Sequence, residues 1–172
     1  MKYIKETAPF AYVIFLGIAI FLLDLFEFSS ESVRKGILIP VALFKASYFL
    51  YLLISRLRKT AGQQFFFYQF ANFIALSVLL VVVSFSLDYY CFYRIDASSF
   101  SGIPPGISTL KEFLAFFYFS VSTFTTAGLG DITPRGSLTQ VLVALQLSIG
   151  WLTTVLVIGN IAHLREDLTQ RH

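Results

Sequence analysis

An all-α membrane protein, with four spanning helices and a shorter helix that re-enters from one side, is what this sequence predicts. Three observations carry that expectation. Of 172 residues, 56% are hydrophobic and 13% charged, and mean hydropathy is +0.74. A soluble domain would carry about twice that charged fraction. Four apolar runs are long enough to cross about 30 Å of hydrocarbon at about 1.5 Å per residue. Between the third and fourth lies an apolar run too short to cross, followed by a polar, glycine-rich stretch. The formal net charge of +3 comes with no basic stripe of the kind nucleic-acid binding needs. The single cysteine, Cys91, rules out an intrachain disulfide. No paired carboxylates, nucleophile–base set or metal cluster points to an enzyme, and His163 and His172 stand far apart.

Residues 1–64 read as a two-helix region. Thr7 can cap a helix whose first turn holds Pro9, where a missing N–H costs little. The first span, 8–28, is apolar except for Asp24 and Glu27, and is too long for a cleaved signal peptide. A polar connection, 29–36, leads to the second span, 37–55, with Pro40 near its start and Lys45 inside. Arg56, Arg58 and Lys59 form the strongest positive cluster. The third span, 65–87, is rich in valine and would be a strand in another setting. In lipid, about twenty apolar residues must satisfy their own backbone groups, which makes it a helix ending at Asp88.

A loop over 88–107 follows, holding Cys91, Gly102 and Pro104-Pro105-Gly106. Thr109-Leu110-Lys111-Glu112 is a capping box opening a helix over 109–124, too short to cross and suited to re-entry. Its C-terminal dipole end would aim negative charge at whatever follows. Ser137-Leu138-Thr139-Gln140 is a second box, opening the fourth span, 138–163, before a tail over 164–172.

Thr125-Thr126-Ala127-Gly128-Leu129-Gly130-Asp131 lies between these two helices. Turn-prone backbone at membrane depth is tolerated only where it lines a water- or ion-filled path. To bind a dehydrated cation, consecutive carbonyls must point toward a common axis. Glycine adopts the angles this needs freely, and Gly128 and Gly130 supply it at alternate positions. Asp131 at the far end can concentrate cations or brace the stretch from behind.

Thr126-Ala127-Gly128-Leu129-Gly130-Asp131 resembles the Thr-Val-Gly-Tyr-Gly-Asp filter of tetrameric potassium channels, with Thr125 before it and Pro134 after it. The resemblance covers 113–163, about a third of the chain, and sets Gly150, 19 residues past Asp131, at the family's inner-helix hinge. It implies a pore domain over 65–163, with 65–87 as outer helix, 109–124 as pore helix, 126–130 as filter and 138–163 as inner helix. It implies potassium held by the carbonyls of Thr126, Ala127, Gly128 and Leu129 and by the Thr126 hydroxyl. Filter support falls to Thr125, Asp131, Ser122 and Phe119. Leu129 stands where the family has a tyrosine and Phe119 at the aromatic cuff, so an apolar Leu–Phe contact is expected there. Thr154, Ile158 and Ala162 lie on one stripe below Gly150 and are expected to line a cavity. One filter per chain cannot enclose an ion, so the resemblance implies a homotetramer around a central pore, with no organic cofactor.

Four spans put both termini on one side, with Lys2, Lys5, Arg56, Arg58, Lys59, Arg165 and Arg171 on that face. The positive-inside rule makes it cytoplasmic in a multi-pass cell-membrane protein and turns Asp131 outward. Asp24 and Lys45 are expected to pair between the first two helices, since lone intramembrane charges are costly. The abundant aromatics are expected mainly at lipid and interface, Trp151 included. A weakly selective cation channel and a pore-loop transporter subunit are the alternatives, and gating by a separate regulatory subunit fits a chain with no visible sensor.

Overall fold

The structure is a computed structural model describing residues 31–60 and 67–169 and, within them, the side chains of 38–55 and 71–159. The expected first span with Asp24 lies outside the described residues, as do the side chains of Arg56, Arg58, Lys59, Ala162 and Arg165. Four helices order the described chain: α1 (Glu31–Thr60), α2 (Phe67–Ile95), α3 (Thr109–Phe124) and α4 (Ser137–Thr169). Stretches of α1, α2 and α4 (Leu38–Ser55, Ala71–Ile95 and Ser137–Gly159) are long and apolar enough to cross a membrane. The short α3 packs against α2 and α4, and α1 packs against both α2 and α4.

The spans differ from expectation at their boundaries, and one extension has a clear cause. The second span begins at Glu31 rather than after Gly36, and the third does not stop at Asp88 but runs to Ile95. Asp88 does not end the helix because its charge is matched inside the bundle. Lys45 of α1 donates to both Asp88 oxygens, at 2.6 and 2.7 Å, and both residues are buried. The expected partner of Lys45 is thus corrected from Asp24 to Asp88. Cys91 accordingly sits buried within α2, not in an outer loop from which it could bridge subunits.

The aromatic residues also depart from expectation. Exposed Phe44 and Tyr51 suit a lipid face, but several buried rings cluster between α2 and α3. Tyr89 meets Phe119 edge-on at 5.2 Å and Phe100 at 5.7 Å, while Phe116 meets Phe100 at 5.1 Å and Tyr93 at 5.3 Å. Each such pair contributes about 0.5–1.5 kcal/mol beyond the area it buries.

The helix starts differ slightly from the capping boxes. Ser108, not Thr109, occupies the cap of α3, and its side chain makes no capping bond. α4 begins on Ser137 itself, with the Gln140 N–H donating to the Gly136 carbonyl. Between α2 and α3, Asp96 caps a 3₁₀ turn over Ala97–Ser99 through the Ser98 N–H. A two-residue strand, β1 (Phe100–Ser101), then pairs antiparallel with β2 (Thr133–Pro134), Phe100 opposite Pro134 and Ser101 opposite Thr133. This pair is the one departure from an all-α chain among the described residues.

Removing one member of the buried ion pair leaves the other uncompensated, which costs about 3–5 kcal/mol, whereas an apolar replacement of both is often near neutral. Lys45→Met should therefore destabilise the purified protein strongly, and Lys45→Met with Asp88→Leu should recover most of the loss. Thermal unfolding in detergent of the two single variants and the double variant checks this.

Candidate ion pathway

The end of α3 sets the orientation of everything after it. A helix leaves its last carbonyls without partners inside the helix. Here the chain folds back to supply them: the Thr125 N–H donates to Val121 O, Thr126 N–H to Thr123 O and Ala127 N–H to Ser122 O, at 2.9–3.0 Å. The Leu129 N–H points the same way, onto the Ser122 hydroxyl at 3.5 Å. In a trans peptide the carbonyl opposes the N–H. The carbonyls of Thr125, Thr126 and Gly128, which share those peptide groups, therefore face away from α3.

The dihedrals extend this pattern. Thr126, Gly128 and Gly130 have φ of 58°, 57° and 79°, while Ala127 and Leu129 between them are not left-handed. Alternation of left- and right-handed residues in an extended ribbon turns successive carbonyls to one side, where an ordinary strand alternates them. Gly128 and Gly130 adopt these angles without a Cβ penalty. Thr126 is β-branched, and a positive φ there is a genuine outlier of the kind found at functional sites. Its hydroxyl donates to the Thr125 carbonyl at 2.7 Å. Residues Thr125 to Asp131 are all exposed in the single chain.

The ribbon is braced at its far end in a way the sequence did not disclose. Asp131 accepts from its neighbour's N–H, Ile132, at 3.0 Å, and its carboxylate acts electrostatically on the Tyr118 hydroxyl. Tyr118 lies one helical turn before Ser122. Interaction with the Asp131 carboxylate raises the pKa of its phenol above the ordinary value of 10.0, because ionisation would set two negative charges together. From the opposite side, Gly102 (φ +93°) approaches so closely that a Cβ would lie 1.9 Å from the Asp131 carbonyl oxygen. The β1–β2 pair, an Arg135 N–H to Ser99 O bond and a Ser101–Thr133 hydroxyl pair fix that approach.

The remaining expected site residues separate into two groups. Ser122 and Phe119 are buried behind the ribbon. Phe119 spends its ring on Tyr89 and Phe100, and Leu129 remains 62% exposed, so the expected Leu–Phe contact is not what organises this region. Gly150 sits within unbroken α4, tight against α3, where a Cβ would fall 2.3 Å from the Phe124 carbonyl oxygen. Thr154 is exposed, its hydroxyl donating to the Gly150 carbonyl, and Ile158 is 63% exposed on the same stripe. Trp151 is not merely a packing aromatic: with Leu147, Ser148 and Leu152 it lines a hollow that includes Thr126. Its position one residue past Gly150 was the available signal. Among the described residues no cluster of metal-ligating side chains occurs.

A helix too short to cross a membrane, a ribbon folded back onto its end and flanking apolar spans thus lie together. The family model described as "Ion channel" matches residues 77–166, more than half of the chain, and the chain belongs to that family. It is a multi-pass membrane protein by that membership and its apolar helices. A curated relative, two-pore potassium channel 4 of Arabidopsis thaliana, is 38% identical over 77 residues, which span 45% of this chain and 24% of the relative. No solved structure matches.

Two variants test the brace. Tyr118→Phe should lower stability at neutral pH. With the phenol pKa raised by Asp131, any contribution of the neutral phenol is present below pH 10 and lost as pH rises through the folded value. Melting curves of wild type and variant should therefore stay apart through neutral pH and converge only in strong alkali. Gly102→Ala meets backbone and an unfavourable φ together. It should lower melting by several degrees, at roughly 2–4 °C per kcal/mol for a chain this long.

Proposed function

We propose that four copies of this chain form a potassium-selective channel that conducts passively. The ribbon Thr126-Ala127-Gly128-Leu129-Gly130 from each copy would together replace the ion's hydration shell. The observation that carries this reading is the orientation of the ribbon: the Thr126, Ala127 and Leu129 N–H groups tied back to α3, the Thr126 and Gly128 carbonyls turned away, and left-handed residues at alternate positions. Carbonyl rings built this way are a known solution to potassium selectivity. Likeness to a protein named as a potassium channel supports the choice of ion.

In this assembly α2 is the outer helix, α3 the pore helix and α4 the inner helix, with Thr154, Ile158 and Ala162 toward a cavity. The exposed face of α4, including Leu147, Trp151, Val155 and Ile158, suits burial against other copies and the cavity. Asp131 would lie at the outer mouth and both termini in the cytoplasm of a cell-membrane protein. α1 would belong to the rigid pore unit, because Lys45 is neutralised in place by Asp88 and cannot travel as a gating charge.

A weakly selective monovalent cation channel is the second reading. Leu129 favours it, since an exposed leucine gives the ribbon no side-chain hydrogen bond to hold its width.

Reversal potentials of the purified protein in bilayers with mixed potassium and sodium decide between them. A potential near the potassium equilibrium value supports the first reading, and one midway between the two ions supports the second. Gly128→Val places a β-branched residue at φ +57° and should abolish current while leaving assembly, judged by crosslinking, intact.

A further inference from the structure

Gln146 is fully buried in an apolar helix, which is costly unless every polar atom is used. All of it is used. Its carbonyl oxygen accepts from the Tyr89 hydroxyl of α2 at 2.6 Å. Its amide donates to the Ser120 hydroxyl at 2.7 Å and to the Ser120 carbonyl at 3.1 Å, both on α3. Ser120 in turn donates to the Val82 carbonyl of α2 at 2.8 Å. One side chain thus joins all three helices of the pore unit.

Its place along the helices gives the network a direction. Gln146 meets Ser120, and one turn later Gly150 meets the Phe124 carbonyl. The spacing is four residues on both helices, so α4 and α3 are held in register over a full turn that ends one residue before Thr125. That same turn of α3 supplies the carbonyls and the Ser122 hydroxyl that orient the ribbon.

We infer that Gln146 is a positioning residue: it holds the carboxyl end of α3 against α4, and through it the carbonyl spacing of the ribbon. Movement of α4 at Gly150 is then passed to Phe124 and the ribbon rather than absorbed by a free hinge. The inference rests on the pore reading above.

Gln146→Leu keeps the volume and removes the polar contacts, Tyr89→Phe removes only the α2 bond, and Ser120→Ala removes the hydroxyl contact from the α3 side. In bilayers, Gln146→Leu and Ser120→Ala should lower the potassium-over-sodium permeability ratio about five- to tenfold, the factor expected from one buried hydrogen bond left unmade. Tyr89→Phe should change it little. Trp151, the chain's one tryptophan, lies beside Thr126 and gives a second readout. Its emission should shift in Gln146→Leu and Ser120→Ala and not in Tyr89→Phe. Gln146→Glu restores the acceptor for Tyr89 but not the donors to Ser120, and should fail to rescue either readout. Assembled variants with wild-type permeability and unchanged Trp151 emission overturn the inference. If Gln146→Leu does not assemble, Ser120→Ala decides by the same criteria. A wild-type channel that does not select potassium overturns the proposed function instead, and the emission comparison still judges the clamp.

Discussion

A threonine held at φ 58° is the constraint on which the rest of this structure turns. Left-handed backbone costs a residue with a Cβ about 1–2 kcal/mol, and a β-branched side chain makes it less welcome still. Such a residue persists only where its surroundings leave no alternative. Here the alternatives are removed by the helix that precedes it. The Thr126 and Ala127 N–H groups are claimed by the last carbonyls of α3, which would otherwise go unpaired at membrane depth. The same bonds that finish the helix turn carbonyls of the ribbon outward, so one requirement of backbone chemistry produces the feature on which the proposed function rests.

Support then spreads outward in layers. Behind the ribbon stands Ser122, and around its far end the β1–β2 pair presses Gly102 against Asp131. Behind α3 lies the ring cluster of Tyr89, Phe100, Phe116 and Phe119, a close-packed wall that cannot deform continuously. Beyond it, Lys45 and Asp88 fix α1 to α2 with a charge pair that has no second partner to exchange with among the described contacts. The polar groups at this depth are nearly all matched, as lipid requires. Thr153 keeps one buried hydroxyl oxygen without a partner in the single chain.

Much of this was legible in the sequence because it depends on local pattern. Apolar length marked the spans now seen in α1, α2 and α4, and the short run before Thr125 marked α3. Gly128 and Gly130 announced their backbone angles by composition alone. What stayed hidden depends on distance or on tertiary pressure. Thr126 carries no local sign of a left-handed angle, because the fold imposes it. Asp88 looked like the end of a helix, since its cation lies 43 residues away in sequence. Tyr118 and Gly102 reach Asp131 from separate elements, and neither spacing matches a helical or strand period. Gln146 did leave a trace: an amide in the middle of an apolar run needs partners, though the sequence does not say which ones.

The account stands or falls on where those outward carbonyls point when copies of the chain assemble. An experimental structure of the membrane-embedded protein in thallium, which substitutes for potassium and scatters anomalously, measures this directly. The account predicts a row of anomalous peaks on the axis relating four copies, each level ringed by carbonyl oxygens of Thr126, Ala127, Gly128 and Leu129. Peaks absent from that axis, or ribbons whose N–H groups face it, would contradict the account.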